Sequence, residues 1–245
     1  MTRFYQKKEL AFAIVWIVLY VFLLSAADQL SAALGCAKIV TAPLCVVLTV
    51  FLFGWIKQND LTEKYGLGKV TIDFKKYLYF LPLVLIASTN LWRGVTLNMS
   101  VLESALYVVS MLCVGFLEEV IFRGFLFKAL CRDGVKKAVV ISSLTFGIGH
   151  IVNLLNGAEL FSTLLQICYA AAVGFLFTII FLRSKSLIPC ILTHSAINSL
   201  STFAFQGSKT LEMIAAAGLT VVSVLYALWI EKTDRGSGDT DSLQK

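Results

Sequence analysis

The chain has two histidines, and both fall inside long apolar runs. His150 lies in FGIGHIVNLLNG, and His194 lies in THSAINSL, four residues before Asn198. A third apolar run, GFLEEVIFRGFLF, holds Glu118, Glu119 and Arg123. Ionisable groups at bilayer depth are costly and by default mark a functional site. One buried histidine is more often a packing residue. Two on separate runs, each near an asparagine and accompanied by a glutamate pair, point to chemistry. A carboxylate in a low-dielectric cavity is a stronger base than one in water, which suits taking a proton from a water molecule. Imidazole and carboxamide groups then suit donation to an oxyanion developing on a carbonyl. The same Glu118, His150 and His194 would alternatively suit a divalent metal such as zinc. No HExxH helix is present, and spacing alone does not separate the two versions.

Helical spacing divides the labour among these groups. Glu119 and Arg123 are i,i+4, about 40° apart on an α-helical wheel, and can pair on one face. Glu118 lies about 100° round from Glu119 and is free to face a different space. The pattern therefore assigns Glu119–Arg123 to a structural pair and Glu118 to the working carboxylate. His194 stands above Asn198 at i,i+4, and His150 near Asn153 at i,i+3.

The elements that must position these groups are membrane spans. Hydrophobic residues make up 58% of the 245-residue chain and charged residues only 15%, with mean hydropathy +0.82. Soluble domains carry roughly a quarter charged residues, so a soluble core of this length would lack polar surface. A crossing needs about 20 predominantly apolar residues. That template predicts an all-α bundle of about eight spans, near 9–28, 39–56, 77–95, 104–127, 137–153, 160–182, 187–206 and 210–230. The first follows Arg3, Lys7 and Lys8 like a signal peptide, but its apolar stretch is long for one, and it is read as a retained helix. Residues 1–230 then form one transmembrane domain, with a motif-bearing core at about 104–206. Residues 231–245 are polar and Gly/Ser/Asp-rich, as expected of a disordered cytoplasmic tail.

Seventeen Lys and Arg fall at the ends that share a side with the N-terminus; Lys38, Arg93 and Lys209 fall at the other, and Arg123 lies within a span. The excess of basic residues on cytoplasmic segments places both termini in the cytoplasm. Measured from the nearest cytoplasmic charge at 1.5 Å per residue, Glu118 lies roughly 15 Å deep, His194 roughly 14 Å and His150 roughly 20 Å. The three helices thus carry their polar groups in one layer. The net charge of +6 is topological by the same count; with no basic, aromatic-interleaved face, nucleic acid is not an expected partner. Six scattered cysteines without CxxC spacing read as small hydrophobes. Trp16, Trp55, Trp92 and Trp229 read as interface anchors, and Ala170-x-x-x-Gly174 as internal helix packing.

At these residues the sequence resembles the CPBP family of membrane proteases, also called the Abi or CAAX-protease-like family. The family pattern of Glu-Glu-x-x-x-Arg, Phe-x-x-x-His and His-x-x-x-Asn is met here by Glu118-Glu119-Val-Ile-Phe-Arg123, Phe146-Gly-Ile-Gly-His150 and His194-Ser-Ala-Ile-Asn198. All three occur in order, over roughly residues 114–200. The resemblance implies an eight-helix intramembrane endopeptidase in which Glu118 activates water with His150. His194 and Asn198 would line the oxyanion side, with Glu119 and Arg123 holding the site together; Asn153, beside His150 by spacing alone, is read as a supporting residue. It implies a membrane protein or peptide substrate, in some members lipidated. The family includes proteins linked to bacteriocin immunity, and a compact chain such as this looks like a multi-pass protein of a bacterial plasma membrane. The family is often labelled metalloprotease, while a metal-independent glutamate mechanism is equally consistent with its residues. From a different class, a non-proteolytic transporter or scaffold would use the same buried groups to bind a proton or solute, and a purely structural reading would keep them as interhelical glue.

Overall fold

The computed structural model describes residues 1–68, 80–92, 94–205 and 207–235. Among the described residues the chain forms helices and no strand, with one isolated bridge between Val95 and Ala204. The helices are α1 (Thr2–Lys7), α2 (Glu9–Ala33), α3 (Thr41–Gln58), α4 (Leu81–Ser88), α5 (Val101–Glu119), α6 (Val135–Gly149), α7 (Leu160–Ser184), α8 (Ile188–Ser201) and α9 (Lys209–Arg235). α5 continues through a π-helical stretch, Val120–Phe127, and further helical turns to Asp133. α6 continues as a 3-10 helix over His150–Leu154.

Six of these helical segments are long and apolar enough to cross a membrane: Glu9–Ala33, Thr41–Gln58, Val101–Asp133, Val135–Leu154, Leu160–Ser184 and Lys209–Thr233. The other two expected spans are shorter. Leu81–Leu91 is an apolar helix of intermediate length, and residues 77–79 and 93 of that expected span lie outside the described residues. α8 has 14 residues, started by Pro189 near its N-terminus and ended at Ser201. At 1.5 Å per residue it is roughly 21 Å long, short of a full crossing. It packs against α5 and α4 with Cys190, Thr193, His194, Ser195 and Ser199 buried, while Leu192 faces outward. The last helix runs to Arg235, into the segment read as tail, and 236–245 lie outside the described residues.

The outer surface is apolar: Phe22, Val50, Leu192 and Leu225 are all more than 60% exposed. Such a belt requires hydrocarbon around it. Several hydroxyls within the spans bond back to the carbonyl four residues earlier, as Ser143 does to Val139 and Thr178 to Gly174, which satisfies them without water.

The centre of the bundle is the π-helical stretch, in which all eight residues are buried. α2 and α6 pack on it, and α7 packs on both α6 and α9. Near the N-terminal end, Phe125 meets Tyr65 at 5.1 Å and Phe12 at 5.2 Å between ring centroids, and Tyr5 meets Trp55 at 5.3 Å. Trp16 and Trp55 belong to this buried cluster, so they are core residues and not interface anchors. Rings that find edge-to-face partners gain more than area burial alone. Trp92 and Trp229 are exposed, as an interface position requires. All six cysteines are unpaired.

Candidate active site

The site is assembled where α5 and its π-helical continuation pack against α8 and α6, and glycines bring helices close there. A Cβ at Gly115 would fall 2.2 Å from Ser195 Oγ and 2.7 Å from its backbone nitrogen, so α5 and α8 are in backbone contact beside His194. A Cβ at Gly147 would fall 2.7 Å from that of Ala171, which brings α6 equally close to α7. Gly174 faces Arg123 Nη2, Phe146 and the Ser143 carbonyl, so the Ala170-x-x-x-Gly174 pattern serves packing within the chain. Small residues at such crossings let helices pack without a hydrophobic driving force.

Glu119 and Arg123 are both fully buried, and Arg123 Nη1 donates to Glu119 Oε1 over 3.0 Å. The pair closes although the turn between its members is π-helical and not the α-turn assumed from spacing. The Arg123 guanidinium lies 4.0 Å from the centroid of Phe146 and 5.8 Å from that of Phe177. These rings face Arg123 where its Nε and Nη2 have no hydrogen-bond partner, a cation–π arrangement that partly offsets desolvation.

His194 joins the pair to its neighbour. Its Nδ1 lies 2.8 Å from Glu119 Oε1, and its Nε2 lies 3.5 Å from Glu118 Oε2. Glu119 Oε1 already accepts from Arg123, and a carboxylate only accepts, so the proton of this contact sits on His194 Nδ1. The imidazole thus stands between two carboxylates of opposite setting, one sealed against arginine and one beside open space. Glu118 Oε1 accepts a hydrogen bond of 2.7 Å from the Tyr20 hydroxyl, contributed by α2. Glu118 Oε2 has no hydrogen-bond partner.

A cavity of about 420 Å³ adjoins Glu118, and His150, Asn153, His194 and Asn198 also line it. His150 Nδ1 lies 3.0 Å from the Phe146 carbonyl. A carbonyl only accepts, so this bond puts the proton on Nδ1 and leaves Nε2 as the acceptor. Asn153 does not pair with His150: its amide donates to Gln166 Oε1 over 2.8 Å, because the 3-10 turn after Gly149 directs it toward α7. Five residues named from the sequence therefore share one cavity wall, while Glu119 and Arg123 lie behind it. Among the described residues, no group of three His, Cys, Asp or Glu side chains is gathered closely enough to hold a metal ion, so Glu118, His150 and His194 do not form a ready ligand set in this arrangement.

Two contributors escaped the sequence reading. Phe146 appears in the second motif, but its work is seen only in space: it stacks edge-on with His150 at 5.1 Å and His194 at 5.6 Å while covering Arg123. Tyr20 lies on a helix without any motif. Its signal was a phenol twelve residues beyond Lys8 in an otherwise apolar span, roughly 18 Å deep and in the same layer as the glutamates. A hydroxyl there must find a partner.

Residues 100–200 match the family model described as Type II CAAX prenyl endopeptidase Rce1-like. The matched stretch runs from the Ser100 cap of α5 to the last turn of α8 and holds all three motifs, so the resemblance drawn from them is borne out. No curated protein and no solved structure matches the chain.

Proposed function

We propose that this protein is an intramembrane endopeptidase that hydrolyses a peptide bond of a membrane-associated protein or peptide, with Glu118 as the base that activates water. One observation carries the reading: Glu118 borders a cavity inside the bundle, is held by Tyr20, and shares the cavity wall with both histidines and Asn198. The matched family adds the reaction class.

In this reading a water in the cavity gives its proton to Glu118 as its oxygen attacks the scissile carbonyl. The tetrahedral oxyanion that forms requires donors already in place, a role for the Asn198 amide; His194, whose Nδ1 proton is given to Glu119, joins it only when Nε2 carries a proton as well. His194 is oriented by its bond to Glu119, which Arg123 neutralises, so Glu119 and Arg123 act through it as positioning residues. His150, with Nε2 free to accept, holds the attacking water from the same cavity lining. The proton held by Glu118 then passes to the leaving amine, and the carboxylate is regenerated. Tyr20 fixes the Glu118 rotamer through both protonation states, since a phenol can both donate and accept.

The test is substitution of Glu118 by Gln and by Ala in protein that inserts and purifies like the parent, with processing of a candidate membrane peptide as the readout. Both variants should lose cleavage. Undiminished cleavage by stably inserted variants would remove Glu118 from the reaction.

A further inference from the structure

The cavity lies at one end of the bundle, and that end is the one poor in basic charge. Asp28 closes the second half of α2, Asn156 follows α6, Ser201 ends α8 and Glu212 begins α9; all four line the cavity. The connections beside them are laced together by Ala37 N to Glu103 Oε1 at 3.0 Å and Asn98 to the Thr202 and Ala204 carbonyls at 3.1 Å.

Among the described residues the opposite end is shut by packing. Phe125, Phe127 and Tyr65 are buried there. Leu187 N donates to Gly66 O over 2.9 Å, and Gly66 holds φ +61° where a Cβ would lie 2.6 Å from the Lys185 carbonyl. Among the described residues, backbone thus meets backbone at that end, and the cavity around Glu118 has no lining residue there.

Charge distinguishes the ends. Twelve Lys and Arg side chains among the described residues lie at the shut end, from Arg3 to Lys232, against Lys38 and Lys209 at the open one. Both of the latter are spent in ion pairs, Lys38 with Asp28 at 2.8 Å and Lys209 with Glu159. Basic residues in short segments are retained on the cytoplasmic side, so the shut end is the cytoplasmic one.

We infer that the catalytic cavity is entered from the extracytoplasmic face, and that its substrates are exported peptides or the outer ends of membrane segments. The substrate half of this inference rests on the peptidase reading above; the direction of entry does not. Single-cysteine reporters decide it: Asn156→Cys at the mouth and Lys57→Cys at the shut end, each in a full-length chain whose six native cysteines are all replaced by Ser. Intact bacteria producing each protein are treated with a membrane-impermeant maleimide, then treated again after permeabilisation. Asn156→Cys should label in intact cells, and Lys57→Cys only after permeabilisation. Labelling of Lys57→Cys in intact cells, alone or with Asn156→Cys, overturns the inference, as does an Asn156→Cys that reacts only after permeabilisation. Thiol labelling needs no catalysis, so loss of the peptidase reading would leave this result standing and would show itself separately, in the Glu118 variants.

Discussion

Arg123→Met offers the sharpest test of how the site is held. Methionine keeps the length and apolar volume of the arginine stem and removes the charge. Arg123 and Glu119 are wholly buried and 3.0 Å apart. At an effective dielectric of ~20, unit charges at about that separation attract by about 5–6 kcal/mol. Breaking a buried pair from one side typically costs about 3–5 kcal/mol, because the remaining charge stays desolvated. Glu119→Gln should cost less than Arg123→Met, since the amide oxygen still accepts from His194 Nδ1. The double variant buries no unpaired charge and should recover about 2–3 kcal/mol relative to the sum of the single losses, within the range seen for contacting residues. Equilibrium unfolding of the four proteins in one detergent or lipid system measures the cycle. Additivity within about 0.5 kcal/mol would mean that Glu119 and Arg123 are not coupled, and the positioning role assigned to them would fall.

Three further outcomes follow from the geometry. Tyr20→Phe removes a hydrogen bond to a charged acceptor, worth about 1.5–3 kcal/mol. Glu118-dependent turnover should fall roughly tenfold to a hundredfold at nearly constant KM, and an unchanged kcat would detach Tyr20 from the site. Gly115→Val should destabilise the bundle by about 1–3 kcal/mol through overpacking and depress cleavage, since it drives α5 from Ser195 beside His194. Gly218→Ala is its control, with open space where the Cβ would go, and equal effects in a thermal melt would contradict the close crossing. Lys64 lies outside the spans. Burial acts to lower its pKa, but hydrogen bonds to Glu9 and Tyr5 outweigh it and hold the ammonium above its ordinary 10.5. A raised pKa in the folded state means stability that is fully present below the unfolded value and lost as pH rises through the folded one. The stability gap between parent and Lys64→Met should therefore be constant through neutral pH and shrink above about 10.5; a gap that widens there would reverse the assignment.

The membrane bundle was legible because hydrocarbon imposes a length and a composition on every helix that touches it. All eight apolar runs reappear as helices, and the errors concern the lengths of two of them. α8 packs one face against α5 and α4, so its short length is matched by contact with protein on that face while Leu192 stays outward. Trp16 and Trp55 were misassigned for a related reason: an indole suits the interface by its polarity and an aromatic cluster by its shape, and only the arrangement of Tyr5, Phe12 and Phe125 decides between them. At the site, wheel arithmetic separated Glu119–Arg123 from Glu118 correctly in outcome, although the π-helical turn altered the angles it used. It placed Asn153 beside His150, because it assumed an α-helix where the chain tightens into a 3-10 turn. Tyr20 lay beyond such reasoning, since helical periodicity relates residues within one element and says nothing of which α2 residue meets α5.

The adjacency of the two glutamates has a physical use that neither motif nor depth expresses. Neighbours on a helix diverge by about 100°, so one carboxylate can turn into the sealed core while the next borders the cavity. Only a group standing between the two directions can sense both, and His194 occupies that place, with one ring nitrogen toward each. Arg123 is linked to the cavity without reaching it: it donates to Glu119, Glu119 accepts from His194 Nδ1, and the ring orientation fixes what Nε2 presents to Glu118. The chain of contacts is directional, because its sealed end is rigidly packed by Phe146 and Phe177 while its open end retains an unpartnered Glu118 oxygen. Order is thereby imposed from the core on the carboxylate to which the proposed mechanism gives the proton.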